Sequence, residues 1–115
     1  MSVFETSPSE RRAHDRRPIK TDALLGLPGQ RTAAARLLDI GKGGAGVVSD
    51  YNLPVGTRVT IQARLPARGR GSGVFEAGAV VRNCTLAASD GGFRLGLEFE
   101  ALSAPATAAL GDFLG

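Results

Sequence analysis

The chain has 115 residues, 43% hydrophobic and 22% charged, which fits one globular domain and excludes an intrinsically disordered protein. Its single cysteine excludes an intramolecular disulfide and a multi-cysteine zinc site, and no apolar run is long enough to span a membrane. We therefore expect a cytoplasmic domain with no membrane partner. The formal net charge is only +3 and 5% of residues are aromatic, so nucleic acid is a poor candidate ligand.

The N-terminal part of the chain is polar and then strongly basic. Residues 1–10 are small and polar, which is typical of a flexible tail. Residues 11–20 form a basic arm, in which five arginine or lysine residues and one aspartate give a local charge of +4. Pro18 disfavours helical geometry at Arg17, so a helix does not continue through the arm. Because the remaining chain is nearly neutral, the arm indicates a local anion site rather than an extended polyanion-binding surface.

Short apolar segments separated by glycine and proline follow the arm, and they favour β-strands. Ala23–Leu27 is closed by the turn-forming pair Pro28-Gly29, and Ala45–Val48 begins directly after a cluster of glycines. Arg31–Ile40 fits either a strand or a short helix, because its run of alanines has no clear period.

The second half of the chain has a clearer pattern. Apolar and polar residues alternate in Thr57–Leu65 and in Phe93–Phe99, which predicts strands with one buried face. Val74–Leu86 lies between them and is a further strand, with Gly78 as a bulge or a point of close approach. Arg68–Gly73 is basic and rich in glycine, and we expect a hairpin loop there.

Towards its end the chain has a turn pattern and then a helical pattern. Ser89–Gly92 has the composition of a hairpin turn, whereas a serine and a proline near residue 103 indicate a helix start. Leu110, Phe113 and Leu114 then recur at helical spacing, so we expect a helix at about 103–114. The pattern predicts an all-β domain over residues 11–115, a small antiparallel barrel of about six strands covered by a short C-terminal α-helix.

The first candidate site is the pair Arg12 and Arg16, four residues apart within the basic arm. Two guanidinium groups held close together can donate forked hydrogen bonds to phosphate oxygens or to the O6 and N7 edge of guanine. The alternative is a solvated basic tail, since Arg64 and Arg68 repeat the same spacing elsewhere in the chain. The spacing alone does not decide between these interpretations.

The second candidate site is Asp39–Gly44, at the end of a predicted strand. A carboxylate there can accept hydrogen bonds from N1 and N2 of guanine, and glycines allow a ligand to approach the backbone. The alternative is a glycine-rich turn with no ligand. Gly41, Gly43 and Gly46 also satisfy G-x-G-x-x-G, but no helix pattern follows, which argues against a dinucleotide-binding βαβ unit.

Taken together, the two segments resemble the PilZ family. Arg12 and Arg16 match its R-x-x-x-R element, and Asp39 and Gly44 match the following D/N-x-S-x-x-G element at a fitting distance. The resemblance implies a six-stranded barrel with a terminal helix that binds the second messenger cyclic di-GMP. It assigns the ligand to Arg12, Arg16, Asp39, Gly41 and Gly44, with the following as further candidates: Arg11, Arg17, Lys42, Gly43 and Arg82.

The sequence departs from that family signature at one position, because Gly41 stands where the family has serine. A missing hydrogen bond to a polar ligand costs about 0.5–1.5 kcal/mol, or up to roughly tenfold in affinity. Gly41 therefore predicts weakened binding. It also leaves open a PilZ-like adaptor that binds no nucleotide and acts only through protein contacts.

The sequence contains no arrangement that predicts catalysis. It has no pair of carboxylates, no metal-ligand spacing and no nucleophile with an adjacent base, and Cys84 lies in an apolar strand typical of a core position. We therefore expect a receptor without cofactor or metal rather than an enzyme. The resemblance to the PilZ family further implies that the arm closes onto the barrel when ligand binds and thereby signals to a protein partner. Motility, surface attachment and polysaccharide output are familiar settings for that family, and the sequence does not distinguish among them. A small nucleic-acid-binding barrel is the remaining alternative.

Overall fold

The computed structural model describes residues 16–67 and 71–115, so the predicted tail 1–10 and the candidates Arg11 and Arg12 lie outside the described residues. Six strands and one α-helix follow in chain order: β1 Arg17–Leu27, β2 Arg31–Ile40, β3 Gly44–Ser49, β4 Arg58–Ala67, β5 Gly71–Ala87, β6 Gly92–Phe99 and α1 Ala104–Leu114. A short 3-10 helix, Ala88–Asp90, lies between β5 and β6. All neighbouring strands are antiparallel, in the order β1-β2-β3-β6-β5-β4, and β4 pairs with β1 to close the barrel. The predicted fold class is confirmed.

The barrel interior is filled by alternate residues of every strand. In β4, for example, Val59, Ile61 and Leu65 are buried, as the alternation predicts. Phe75 of β5 is fully buried and contacts Phe99 of β6 with ring centroids 5.3 Å apart. Seven barrel alanines are also buried among these larger side chains, because small and large residues must alternate to fill a narrow barrel.

Helix α1 packs against the barrel through Ala106 and Leu110, which are both buried. Ser103 caps its N-terminus by accepting a hydrogen bond from the Ala106 backbone N–H at 3.2 Å. The predicted helix is therefore confirmed, with its first residue at Ala104. Within the described part of the chain, no helix has the length and apolar character that crossing a membrane requires.

Several element bounds differ from the sequence predictions. Strand β1 begins at Arg17 rather than near Ala23, so the second half of the predicted basic arm is part of the sheet. The reason is pairing with β2, which extends to Arg17 opposite Ile40. The predicted loop at 68–73 is shorter, because β5 already begins at Gly71 and pairs with β4 there.

Register shifts on β2 and β5 redirect side chains on the outer surface of the barrel. One residue of β2, Leu38, is extra relative to β3, and one residue of β5, Arg82, is extra relative to β6. An extra residue bends its strand and redirects the side chains beside it. At Gly78 the sequence predicted either a bulge or a close approach. The pairing with β4 has no shift there, and the Gly78 carbonyl accepts from the Glu100 N–H at 2.9 Å, so the close approach is what the structure has.

Candidate functional site

Asp39 stands near the end of β2, between Pro18 of β1 and Gly46 of β3. Its Oδ1 accepts a hydrogen bond from the Gly46 backbone N–H at 3.0 Å. A Cβ at position 46 would lie 3.0 Å from that same oxygen, which is tighter than ordinary van der Waals contact. The absence of a side chain at Gly46 is therefore what lets the carboxylate lean over β3.

Arg16 immediately precedes β1 and reaches the same carboxylate. Its Nη1 lies 3.3 Å from Asp39 Oδ1, and the two side chains are 23% and 26% exposed. The Arg16 Nε is buried and has no hydrogen-bond acceptor among the residues that the structure describes. Since an unmade hydrogen bond of a buried charged group is costly, the guanidinium is not fully satisfied by its protein neighbours.

Gly44 lies beneath the Arg16 guanidinium at the start of β3. A Cβ there would meet Leu97 O at only 2.1 Å and Arg16 Nη2 at 3.2 Å. The first distance involves backbone and cannot be relieved by a side-chain rotation. The predicted site residue Gly44 is thus required by the close approach of β3 and β6, as well as by the guanidinium above it.

The turn between β2 and β3 contains the remaining glycines of the motif. The Gly41 N–H donates to Gly44 O at 2.9 Å, and Gly43 O accepts from the Phe99 N–H at 2.9 Å. Gly41 is buried, whereas Lys42 is exposed at the tip of the turn. Because the turn leads into strand β3 rather than a helix, the alternative of a dinucleotide-binding phosphate loop does not apply.

Arg17, a further predicted site residue, is directed to helix α1 instead. Its Nη1 and Nη2 donate to the carbonyl oxygens of Phe113 and Leu114, at 3.2 and 2.8 Å. Its guanidinium carbon also lies 5.8 Å from the centre of the Phe113 ring. A cation on the last carbonyls of a helix stabilises that end, so Arg17 joins β1 to the helix C-terminus.

Arg82 and Cys84 have protein partners on the outer part of β5. Arg82 forms an exposed ion pair with Glu98 of β6. Cys84 is half-buried, with its Sγ 3.1 Å from Asn52 Oδ1. In residues 16–67 and 71–115, no group of three or more His, Cys, Asp or Glu side chains is arranged to hold a metal ion.

The structure therefore brings together Arg16, Asp39 and Gly44 from the predicted set, and adds Gly46, which was not among the predicted ligand-binding residues. Gly46 lies beside the Asp39 carboxylate because the two residues pair across β2 and β3. That pairing depends on the register shift at Leu38. A sequence pattern does not reveal such a shift. The hydrogen bonds of Arg17 go to helix α1, and Arg82 pairs with Glu98, so neither arginine bonds to this group.

The arrangement is a surface site rather than an enclosed cavity. A depression of about 560 Å³ lies between β1 and β4, lined by residues that include Leu24 and Arg64 but none of the candidate site. At the site itself, a guanidinium donor stands beside a carboxylate acceptor, both about a quarter exposed. Such a pair is complementary to a planar group that carries an acceptor next to a donor.

Comparison with known proteins decides the family. A family model described as PilZ domain matches residues 10–115, nearly the whole chain. The chain belongs to the PilZ domain family. The match covers both the arginine pair and the Asp39–Gly44 segment that suggested the resemblance. No curated protein sequence matches the chain.

Two of the solved structures that match the chain illustrate the shared fold. The structure of Bacillus subtilis Inhibitor of motility (MotI/DgrA) has a TM-score of 0.69 and 21% identity over 84% of this chain, which spans 46% of that protein. The PilZ domain with c-di-GMP of YcgR from Escherichia coli has a TM-score of 0.63 and 20% identity, with 86% of this chain and 85% of that one covered.

Proposed function

We propose that this protein is a cytoplasmic receptor for cyclic di-GMP and not an enzyme. The observation that carries the proposal is the pairing of Arg16 with Asp39 at 3.3 Å beside Gly44 and Gly46, on the outside of a PilZ barrel. The similar PilZ domain of YcgR is bound to c-di-GMP, which supports the choice of ligand.

Guanine fits the donor and acceptor of the site. In this proposal Asp39 accepts hydrogen bonds from guanine N1 and N2, while Arg16 donates to the adjacent O6. The Gly46 N–H already donates to Asp39 Oδ1, and this contact holds the carboxylate in place before ligand arrives. Adenine has an acceptor at N1 and an amino group in place of O6, so its edge opposes both groups.

The phosphates account for the remaining basic residues of the motif. Arg12, four residues before Arg16, would supply a second guanidinium to the phosphate oxygens, and Arg11 and Lys42 would add positive charge. Ligand binding would thereby bring the chain before Arg16 to the barrel surface. The altered surface would then be read by a protein partner, with residues 11–115 acting as one signalling domain.

Gly41 is expected to lower the affinity rather than abolish binding. The serine hydroxyl of the family signature is missing, but the charged contacts of Arg16 and Asp39 do not depend on it. Hydrogen bonds to charged groups contribute about 1.5–3 kcal/mol each, more than the 0.5–1.5 kcal/mol of a neutral one.

Calorimetric titration of the purified protein with cyclic di-GMP and with cyclic di-AMP tests the proposal. We expect saturable binding of cyclic di-GMP, and binding of cyclic di-AMP weaker by about fivefold or more, because a mismatched base edge costs about 1–3 kcal/mol. If cyclic di-GMP does not bind, the proposal is wrong and the adaptor alternative takes its place. Equal binding of the two ligands would contradict the guanine contacts.

A duplex DNA titration at two salt concentrations serves as the control for the basic arm. A nucleic-acid-binding barrel would bind duplex with an affinity that falls steeply with salt, since each neutralised phosphate releases counterions. We expect no such binding.

A further inference from the structure

Asn83 of β5 occupies a position that mirrors Asp39 across the site. It lies opposite Gly96 of β6, and its Nδ2 and Oδ1 stand 2.6 and 2.7 Å from where a Cβ at position 96 would be. Asp39 leans over Gly46 of β3 in the same manner, at 3.0 Å. In both cases a polar side chain occupies the space above a glycine of the neighbouring strand.

These four residues form one row across the outside of the barrel. Asp39 pairs with Gly46, Gly46 pairs with Gly96, and Gly96 pairs with Asn83. The two central residues have no side chains, while the two outer residues carry a carboxylate and a carboxamide. Directly opposed Cβ positions on antiparallel strands are about 4.5–5.5 Å apart, so the polar groups flank a gap suited to a planar ring.

The orientation of Asn83 has the same cause as that of Asp39. The extra residue at Arg82 shifts the register of β5 against β6, just as Leu38 shifts β2 against β3. Arg82 is then turned to Glu98, and Asn83 is left above Gly96. Asn83 is exposed, and its carboxamide forms no hydrogen bond with another residue in the described ranges.

We propose that Asn83 is a specificity-determining residue of the site, donating its amide N–H to N7 of the guanine that Asp39 and Arg16 hold. A base lying along this row with its N1 and N2 edge toward Asp39 turns its five-membered ring toward Asn83. N7 is the acceptor on that side of a purine. This assignment rests on the proposed binding of cyclic di-GMP.

The test is calorimetry on Asn83→Ala and Asn83→Asp, with cyclic di-GMP and with its analogue in which N7 of each guanine is replaced by CH. Thr85→Ala is the matched control, because Thr85 is an exposed residue of the same strand that pairs with Arg94 instead of a glycine. We expect Asn83→Ala to bind cyclic di-GMP about three- to tenfold more weakly, the effect of one neutral hydrogen bond, and Asn83→Asp to bind more weakly still. Thr85→Ala should bind as the unmodified protein does.

The analogue separates a contact from a general structural effect. With N7 removed, we expect Asn83→Ala and the unmodified protein to bind equally, because neither can form the hydrogen bond. If Asn83→Ala binds cyclic di-GMP as well as the unmodified protein does, or if its deficit persists with the analogue, the assignment is wrong although the proposed function stands. If the unmodified protein fails to bind cyclic di-GMP, the proposed function falls and this assignment falls with it.

Discussion

The Arg16 guanidinium and the Asp39 carboxylate lie 3.3 Å apart, Nη1 to Oδ1, although 23 residues separate them in the chain. Both side chains are about a quarter exposed, and an ion pair that is partly open to solvent contributes on the order of 1 kcal/mol to folding. The pair is therefore a small part of what holds the barrel together. Its consequence is local: it fixes a cationic donor beside an anionic acceptor, above strand β3, which carries Gly44 and Gly46.

Replacing Gly46 by alanine should disturb the carboxylate without unfolding the barrel. The new Cβ would stand 3.0 Å from Asp39 Oδ1 and 3.1 Å from Oδ2, so the carboxylate must move away. We expect Gly46→Ala to weaken cyclic di-GMP binding by about three- to tenfold, the effect of one impaired hydrogen bond. Gly73→Ala is the control, because a Cβ at Gly73 meets nothing within 4 Å. Equal affinities for the two variants would show that the position of Asp39 is unimportant.

Replacing Gly44 by alanine should instead lower the stability of the fold. The Cβ would approach Leu97 O to 2.1 Å, which forces β3 and β6 apart. Overpacking of this kind costs about 1–3 kcal/mol, and each 1 kcal/mol lowers the Tm of a domain of this size by about 4–8 °C. Thermal unfolding followed by circular dichroism measures the effect. An unchanged Tm would mean that Gly44 serves the ligand alone.

Placing the serine of the family signature at position 41 should strengthen the binding of cyclic di-GMP. Positive φ among the described residues is confined to Gln30, Gly29, Gly56, Gly91 and Gly115, so a serine at Gly41 meets no backbone strain. We expect Gly41→Ser to gain up to about tenfold in affinity for cyclic di-GMP over the unmodified protein, from one added hydrogen bond. Gly41→Ala separates the hydroxyl from the added volume. If binding appears only in Gly41→Ser, the natural site is degenerate and the adaptor alternative holds.

Removing Arg17 should affect stability more than binding. The side chain donates to the carbonyls of Phe113 and Leu114, and its loss frees the C-terminal end of α1. We expect Arg17→Ala to lose about 1 kcal/mol in free energy of unfolding, measured by urea denaturation, while its ligand affinity changes less than about twofold. Arg17→Lys should recover part of the loss, since lysine keeps the charge but not the fork. If Arg17→Ala instead loses much of its affinity for cyclic di-GMP at unchanged stability, Arg17 is a ligand-binding residue and this prediction is wrong.

The fold was largely predictable from the sequence, because alternation in segments such as Thr57–Leu65 indicates both a strand and its buried face. The bounds of β1 were not. Its first residues, Arg17–Lys20, contain a single large apolar residue, Ile19, and so have no alternating pattern. They are strand because β2 extends far enough to pair with this part of the chain. Local composition does not report such long-range pairing.

The site was only partly predictable, for a related reason. Motif spacing pointed to Asp39 and Gly44, and the barrel brings both to Arg16. Gly46 pairs with Asp39 only because Leu38 is an extra residue in β2 relative to β3. The surroundings of Arg82 likewise depend on the register shift between β5 and β6. A shift of one residue moves side chains from one face of the sheet to the other, and the residue types do not predict where it occurs.

The central claim is that Arg16, paired with Asp39, binds cyclic di-GMP, and calorimetry on Arg16→Ala tests it most directly. Arg58→Ala is the matched control, because Arg58 also forms a surface ion pair, with its Nε 3.4 Å from Glu100 Oε2, away from the site. We predict saturable binding by the unmodified protein and by Arg58→Ala, and a loss of about tenfold or more in Arg16→Ala, as expected for a charged hydrogen bond. Equal binding by Arg16→Ala and Arg58→Ala, or no binding by the unmodified protein, would contradict the claim.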